Sequence, residues 1–443
     1  MSKINHWHPK LHIRIANNLA FVIAFTLLLS FTVLTSAQQS EWSKTYTDSY
    51  GRGNALLVTS DGGFVITGVS NRHFMLSKVG SSGELNWWKT YQSGEATSVI
   101  QTKDGGYAVV GSGEVNFMKT DSFGTVQWSK NFVNGSSTSF KINSVARTLD
   151  GGYILAGYTP SGNSPQWDLT MKVDLNGTII WSKSFGTQRS MSFATNVLTI
   201  EDGYVLAANS RLYGLNLNGE IQWSEPSIVA NCLIRTGNGG YLVVSSAGSV
   251  LTKTDSEGIT LWSKVYKLGS PQKSHPEYRF LQSAVQTKDG GFIACGRAYP
   301  ITEGVAWIVK IDSDGNELWN TTAAPFSGHN SYANSIVEVT DGVYVFTGAI
   351  ESISNPRYSD VWLVKVSNSI LPASNSIIPL VEDSSPTPTM TPTPIPTNST
   401  LQPIATPTVP EFPSWTIPLL LTIIVALAGL LVYHKKPKQR SVK

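Results

Sequence analysis

The chain has 443 residues, two cysteines, 14% charged residues and a formal charge of +3. Charge this sparse excludes a highly charged disordered chain, and two cysteines exclude a disulfide-stapled mini-scaffold. The positive balance comes from the two ends: across residues 38–378, 27 acids face 25 bases, so no basic face for nucleic acid is expected.

At the N-terminus, Lys3, Lys10 and Arg14 precede an uncharged apolar run, residues 19–37, that closes on Thr35-Ser36-Ala37. A basic start, an apolar stretch and small residues at its end are the pattern of a secretory signal, here residues 1–37. The length of the run also suits an uncleaved N-terminal anchor.

Residues 38–370 are self-similar. A Gly followed four residues later by Trp occurs six times: Gly83–Trp87, Gly124–Trp128, Gly177–Trp181, Gly219–Trp223, Gly258–Trp262 and Gly315–Trp319. Asp-Gly-Gly-aromatic, or a near variant, starts at Asp61, Asp104, Asp150, Asp202, Asn238, Asp289 and Asp341, defining seven units. Spacings of 36 to 57 residues match propeller repeats rather than helical solenoids. Each unit carries four short strand patterns; in the second they cover 97–102, 107–111, 116–120 and 126–130. Asp-Gly-Gly and the Asp-x-x-Gly before most of the Trp residues are tight-turn chemistry, so two short turns at one end alternate with two longer loops at the other.

The seventh unit ends at residues 361–366 with no Gly-x-x-x-Trp strand after it, while Trp42-Ser43-Lys44-Thr45-Tyr46 matches Trp87-Trp88-Lys89-Thr90-Tyr91. The N-terminal strand therefore completes the last unit, which leaves no broken sheet edge. The expected fold is all-β, a seven-bladed β-propeller of four-stranded blades.

A Trp at a fixed place in every unit is expected to pack between adjacent sheets. The recurring Lys78, Lys119, Lys172, Lys253, Lys310 and Lys365 are expected to form a solvated face; unit four has Gly214 instead. Asp312-Ser313-Asp314-Gly315-Asn316 places carboxylates close together, as a calcium site does, but lacks EF-hand order and sits where other units have a plain turn, so no metal is assigned. Cys232 and Cys295 fall in interior-looking strands and are read as two buried thiols. Glycosylation sequons begin at Asn134, Asn176, Asn320 and Asn398.

The Asp-x-x-Gly-x-x-x-Trp pattern, as in Asp121–Trp128, loosely resembles the tryptophan-docking repeats of quinoprotein-type propellers, which carry one more residue between Asp and Gly. Quinone-binding members of that group also use a vicinal disulfide, and this chain has no Cys-Cys pair. The resemblance implies blade packing and no cofactor. The pattern is also similar to repeats in bacterial and archaeal cell-surface proteins, a resemblance that spans about three quarters of the chain.

Residues 371–414 are a linker and stalk. Between Pro386 and Pro413 there are nine Pro and eight Thr, an extended composition typical of O-glycosylated stalks. Residues 415–433 are apolar and bracketed by Trp415 and Tyr433, long enough to span a membrane as a helix. The tail 434–443 carries Lys435, Lys436, Lys438, Arg440 and Lys443, which places it in the cytoplasm and the repeats outside. Pro410-Glu411-Phe412, directly before the span, resembles the C-terminal sorting signals of archaeal surface proteins. That resemblance implies an archaeosortase-like processing enzyme as a partner; the alternative is an ordinary membrane anchor.

Function is expected on the longer loops, 161–168, 267–281, 297–307, 326–334 and 350–360. Their candidate ligand-binding residues are Trp167, His275, Tyr278, Arg279, Arg297, Tyr299, His329, Tyr332, Arg357, Tyr358 and Asp360. Aromatic and Arg side chains suit glycan stacking and protein hot spots alike. No Gly-x-Ser-x-Gly, His-Glu-x-x-His, Cys-x-x-Cys or phosphate-loop motif is present. The expectation is a surface-anchored binding or adhesion module for a glycan or protein. The alternatives are a polysaccharide hydrolase or lyase using Glu277, Glu303 and Asp360, and a structural envelope component.

Overall fold

The computed structural model describes residues 42–46, 50–134, 138–159, 167–185, 193–208, 211–226, 230–245, 248–267, 279–299, 303–324, 328–355, 358–367 and 377–379. The chain divides into two compact units, Met1–Thr387 and Pro388–Lys443, and every described residue lies in the first. The signal, the stalk, the apolar span, the basic tail, Asn398 and Pro410-Glu411-Phe412 lie outside the described residues. Among the described residues there is no helix long and apolar enough to cross a membrane.

The described chain is all-β. Units three, four and five are each a four-stranded antiparallel meander. Unit six is the same meander, with residues 377–379 added in parallel to its last strand, Glu317–Ala324. In unit two the strands are longer than the alternation predicts at two places: the first begins inside Leu85–Gln101 and the second runs Tyr107–Gly113. The 17-residue strand Leu85–Gln101 serves two units. Its first half pairs with His73–Val79 and its second half with Tyr107–Gly113, so units one and two form one seven-stranded sheet. The change of partner falls at Gly94, whose φ of 149° and 2.2 Å clearance to the Ser112 carbonyl exclude a side chain.

The N-terminal strand Trp42–Tyr46 pairs with the third strand of unit seven, Trp42 opposite Lys365 and Tyr46 opposite Val361. The sheet order is therefore first strand of the chain, then Ser359–Ser367, Val343–Ser352 and His329–Thr340. The expected closure is present.

Each repeat Trp lies opposite the repeat Lys on the neighbouring strand: Trp87 with Lys78, Trp128 with Lys119, Trp181 with Lys172, Trp262 with Lys253 and Trp319 with Lys310. The indole then crosses to the next unit. Trp87 meets Tyr107 at 6.2 Å, Trp181 meets Tyr204 at 6.0 Å and Trp319 meets Tyr344 at 6.4 Å, each partner being the aromatic residue of the next Asp-Gly-Gly turn or its variant. Trp42 does the same against Phe64 of unit one. Such edge and tilted contacts add about 0.5–1.5 kcal/mol each beyond area burial.

The Gly of each following Gly-x-x-x-Trp turn accepts that indole. A Cβ on Gly124 would sit 2.9 Å from Trp87, and Gly124 has a φ of 74°. Tyr hydroxyls add a second link between units: Tyr46 donates to the Gly83 carbonyl at 2.9 Å, Tyr91 to that of Gly124 at 2.7 Å and Tyr266 to that of Gly315 at 2.8 Å.

The recurring lysines correct the sequence expectation. Lys78, Lys119 and Lys310 are buried, Lys310 to 1% side-chain exposure, and they do not form a solvated face. Their ammonium groups pair with the Asp of their own unit's Asp-Gly-Gly turn: Lys78 with Asp61 at 3.0 Å, Lys119 with Asp104 at 2.6 Å and Lys310 with Asp289 at 2.8 Å. Lys172 and Asp150 repeat this at 2.6 Å. The Lys stands in register with the repeat Trp while its charge reaches the turn, which is how a long cation is buried without losing its partner. In unit five the turn has Asn238, and Lys253 donates instead to the Ser313 carbonyl at 3.0 Å. In unit four the indole of Trp223 lies over Gly214, in the space a lysine stem takes elsewhere.

Buried apolar residues of the described chain fall into seven clusters, each shared by two consecutive units. One of them joins Val345, Val361 and Leu363 of unit seven to Phe64, Ile66 and Met75 of unit one. Cys232 is half-buried and Cys295 buried; both are free, and burial raises the Cys295 thiol well above its ordinary pKa.

Candidate functional site

The first strand of every unit borders one polar cavity of about 680 Å³. In six units this strand carries a β-bulge, at Asn54, Thr97, Asn143, Thr195, Gln282 and Asn334. A bulge leaves one residue out of the ladder and re-aims its side chain. Here the re-aimed side chains are all polar, and most bond across to the next unit. Asn54 donates to the Ala96 carbonyl at 2.8 Å, Thr97 to that of Ile142 at 2.7 Å and Asn143 to that of Ala194 at 2.8 Å. Thr195 donates to the Ala230 carbonyl at 2.8 Å, and Asn231 to the side chain of Gln282 at 3.2 Å. Asn334 closes the series on Gly53 of unit one.

Sequence reasoning missed this girdle, and a signal for it exists. A polar Asn, Thr or Gln stands seven residues before each turn Asp or Asn, from Asn54 before Asp61 to Asn334 before Asp341.

On the long-loop side of this girdle the cavity wall becomes charged and aromatic. Arg52 grips both oxygens of Glu95 at 2.7 Å, and Asn54 donates to the same carboxylate at 2.7 Å. Burial disfavours the Arg52 cation, but its bond to Glu95 outweighs this and its pKa rises. In the adjoining unit seven, Tyr332 donates to Glu351 at 2.7 Å. Burial and the Glu351 charge both push the Tyr332 hydroxyl well above its ordinary pKa.

Arg297 stacks between two rings, 4.7 Å from Tyr299 and 5.1 Å from Tyr332. Among the described residues its ion pair, to Glu351, is at 4.0 Å, and its buried Nε has no hydrogen-bond partner. Gly304 lies against it: a Cβ there would be 2.4 Å from Nε.

Three of the predicted ligand-binding residues thus converge: Arg297, Tyr299 and Tyr332 all line the cavity. Others are placed elsewhere. Arg279 is buried with its guanidinium 5.9 Å from the Trp307 ring, and burial lowers its pKa. The strand alternates, so Phe280, not Arg279, faces the cavity. Trp167 is half-buried in unit three, its backbone bonded to Thr159 at 3.2 Å. Tyr358 is 57% exposed. His329 and Asp360 border no part of the cavity. His275, Glu277, Tyr278 and Arg357 lie outside the described residues.

Arg279, Arg297, His329, Tyr332 and Asp360 also correct the loop assignment: all five stand in strands. The first-strand bulges let the ladder continue toward the long-loop end beyond where the apolar alternation stops.

The other candidate groups are committed to structure. Glu303 accepts from the Gly328 backbone at 3.1 Å. Asp312 accepts from the backbone of Asp314 at 2.9 Å and of Asn316 at 2.7 Å, the same turn that Asp121 makes with Phe123 and Thr125. Among the described residues no group of three or more His, Cys, Asp or Glu is placed to hold a metal. Asn176 is exposed in its turn, whereas Asn320 is 5% exposed and its amide is bonded to Glu317. The Asn134 side chain lies outside the described residues.

No protein-family model matches the chain, and no curated protein matches it. Solved structures do. Raptor from Chaetomium thermophilum is 9% identical with a TM-score of 0.52, over 73% of this chain and 30% of that one. Virginiamycin B lyase from Staphylococcus aureus is 10% identical with a TM-score of 0.50, over 74% of this chain and all of that one. The Pan2 WD40 domain from Neurospora crassa is 11% identical with a TM-score of 0.48, over 73% of this chain and 92% of that one. The neighbours are β-propeller and WD40-like folds. At such identities the likeness concerns fold alone.

Proposed function

We propose that the chain is a seven-bladed β-propeller, carried outside the cell on a Pro/Thr-rich stalk and a single C-terminal span, that binds a glycan or protein ligand at the long-loop mouth of its cavity. Seven apolar clusters between consecutive units, with the N-terminal strand in the last sheet, support the blade count. The apolar segment 415–433 and the basic tail support the anchor, and Pro410-Glu411-Phe412 supports archaeosortase-like processing.

The observation that carries the binding reading is the convergence of Arg297, Tyr299 and Tyr332 on a polar cavity. The cavity falls in the size range of small-ligand sites, about 300–1,000 Å³. Its two mouth carboxylates are engaged, Glu95 by Arg52 and Asn54, Glu351 by Tyr332. The arrangement favours holding a ligand over moving protons.

The test is a thermal-shift screen of the full chain in detergent against oligosaccharides and purified extracellular proteins. A ligand of the native state stabilises it by mass action, by about 2.7 kcal/mol at one hundred times Kd, and so raises the melting temperature. A flat response to both panels would overturn the reading. Protease treatment of intact cells tests the location: surface display predicts loss of the propeller without lysis.

A further inference from the structure

We propose that the cavity mouth selects a carboxylate-bearing sugar, a uronic-acid residue of a glycan, with Arg297 as the group that reads the carboxylate. The inference rests on the binding reading above and names its ligand class.

The argument is one of unspent hydrogen-bond capacity. A guanidinium has five N–H donors in a planar fork that matches a carboxylate. Arg52, which lines the same cavity on the other side of Tyr332, spends its fork on Glu95 in bonds of 2.7, 2.7 and 3.1 Å. Arg297 lines the same cavity without such a grip: its buried Nε has no hydrogen-bond partner among the described residues. Glu351 stands at 4.0 Å, beyond hydrogen-bond reach, and is already held by the Tyr332 hydroxyl. Stacking between Tyr299 and Tyr332 holds the guanidinium plane in place before any ligand arrives. The strongest unmet demand at the mouth is therefore for a planar anion.

The rest of the wall favours a sugar acid over a bare anion or an extended peptide. The site is a well bounded by seven strands, not a groove. Phe280 offers an exposed ring face for stacking, and the side-chain oxygens of Asn54 and Thr97, whose donors are spent across the girdle, remain as acceptors for sugar hydroxyls.

Isothermal titration of the full chain in detergent would use a glucuronate-terminated disaccharide and its glucose-terminated counterpart. Expected is binding of the acid at least about tenfold tighter than the neutral sugar, since only the acid gains a charge-assisted hydrogen bond to the guanidinium. Arg297→Met should bring the ratio of acidic to neutral affinity close to one. Arg297→Lys, which keeps the charge and loses the fork, should recover only part of the preference. Glu351→Gln removes the competing carboxylate and should tighten binding of the acid.

Equal binding of the two sugars, or an Arg297→Met variant that keeps the preference, would overturn the sugar-acid inference and leave the binding reading standing. Tighter binding of a peptide through its C-terminal carboxylate would do the same. No binding of either sugar would also overturn it, and the wider ligand panel then decides the binding reading separately.

Discussion

Asn334 donates its side-chain amide to the carbonyl of Gly53 at 2.9 Å, across 281 residues of sequence. The bond joins the first strand of unit seven to that of unit one, beside a second link from the Leu56 amide to the Ser335 hydroxyl at 3.2 Å. At the other edge of the same sheet, Trp362 donates to the Ser43 hydroxyl at 2.8 Å. Unit seven is thus fastened on both sides by residues from the start of the chain, and closure is a matter of side-chain chemistry as well as strand pairing.

Trp42 is the point where that closure is tested most directly. Trp42→Ala removes the edge contact with Phe64 and the packing over Gly83. A loss of about 3 kcal/mol is expected, toward the lower end for large aromatic truncations because Trp42 is half-buried. Urea unfolding should show a lower midpoint with an unchanged slope.

Two glycines separate backbone strain from Trp packing. Gly105 and Gly124 both have positive φ, 80° and 74°. A Cβ on Gly105 meets nothing within 4 Å, whereas one on Gly124 meets Trp87 at 2.9 Å. Gly105→Ala should cost about 1 kcal/mol, the strain alone, and Gly124→Ala clearly more. Equal losses in thermal or urea unfolding would show that Trp87 does not depend on that clearance.

The turn aspartates set an acid limit on stability. Thr59, with Gly63 and Lys78, holds Asp61 at a pKa of about 2. For Asp104 and Asp289 partial burial works the other way, but hydrogen bonds from Lys119 and Thr102, and from Lys310 and Thr287, outweigh it and give about 2. A carboxylate with its folded pKa below the unfolded one stabilises the fold above the unfolded value, about 3.9. That contribution is lost as pH falls from about 4 through about 2. Asp→Asn at these three positions should flatten the dependence in this window, read from unfolding midpoints at successive pH values. Unit five, with Asn238, already lacks such a carboxylate.

Tyr332→Phe should act opposite to Glu351→Gln. Without the phenol, Glu351 loses its 2.7 Å donor and is free to turn toward Arg297, 4.0 Å away. Binding of the acidic sugar should weaken while that of the neutral sugar holds. Titration calorimetry on both variants distinguishes competition by Glu351 from simple loss of packing, which would weaken both ligands.

Asn320 should carry no glycan. It is 5% exposed, its amide is bonded to Glu317, and its oxygen accepts from Trp307 at 3.5 Å. Asn176 is exposed at the tip of its turn. Glycopeptide mass spectrometry of the folded protein would find modification at Asn176 without it at Asn320.

The two expectations made for the repeated residues had different outcomes for a physical reason. The Trp reading rests on size: a large apolar ring at a fixed place in each unit must be buried somewhere, and the neighbouring sheet is the nearest apolar surface. The Lys reading rested on charge alone. It missed that the Asp of the same unit's turn leads into the strand paired with that of the Lys, close enough to neutralise it.

The sequence by itself determined the turns, the strand period, the packing Trp and the closing strand Trp42–Tyr46, because each depends on chemistry within a few residues or on a repeat that can be counted. Only the tertiary structure decided the site. Arg52, Glu95, Arg297, Tyr332 and Glu351 come from four units and lie up to 299 positions apart, from 52 to 351. No local rule relates them. What brings them together is the closure of the ring, which turns the first strand of every unit toward one cavity and lets the bulges aim their polar side chains across it.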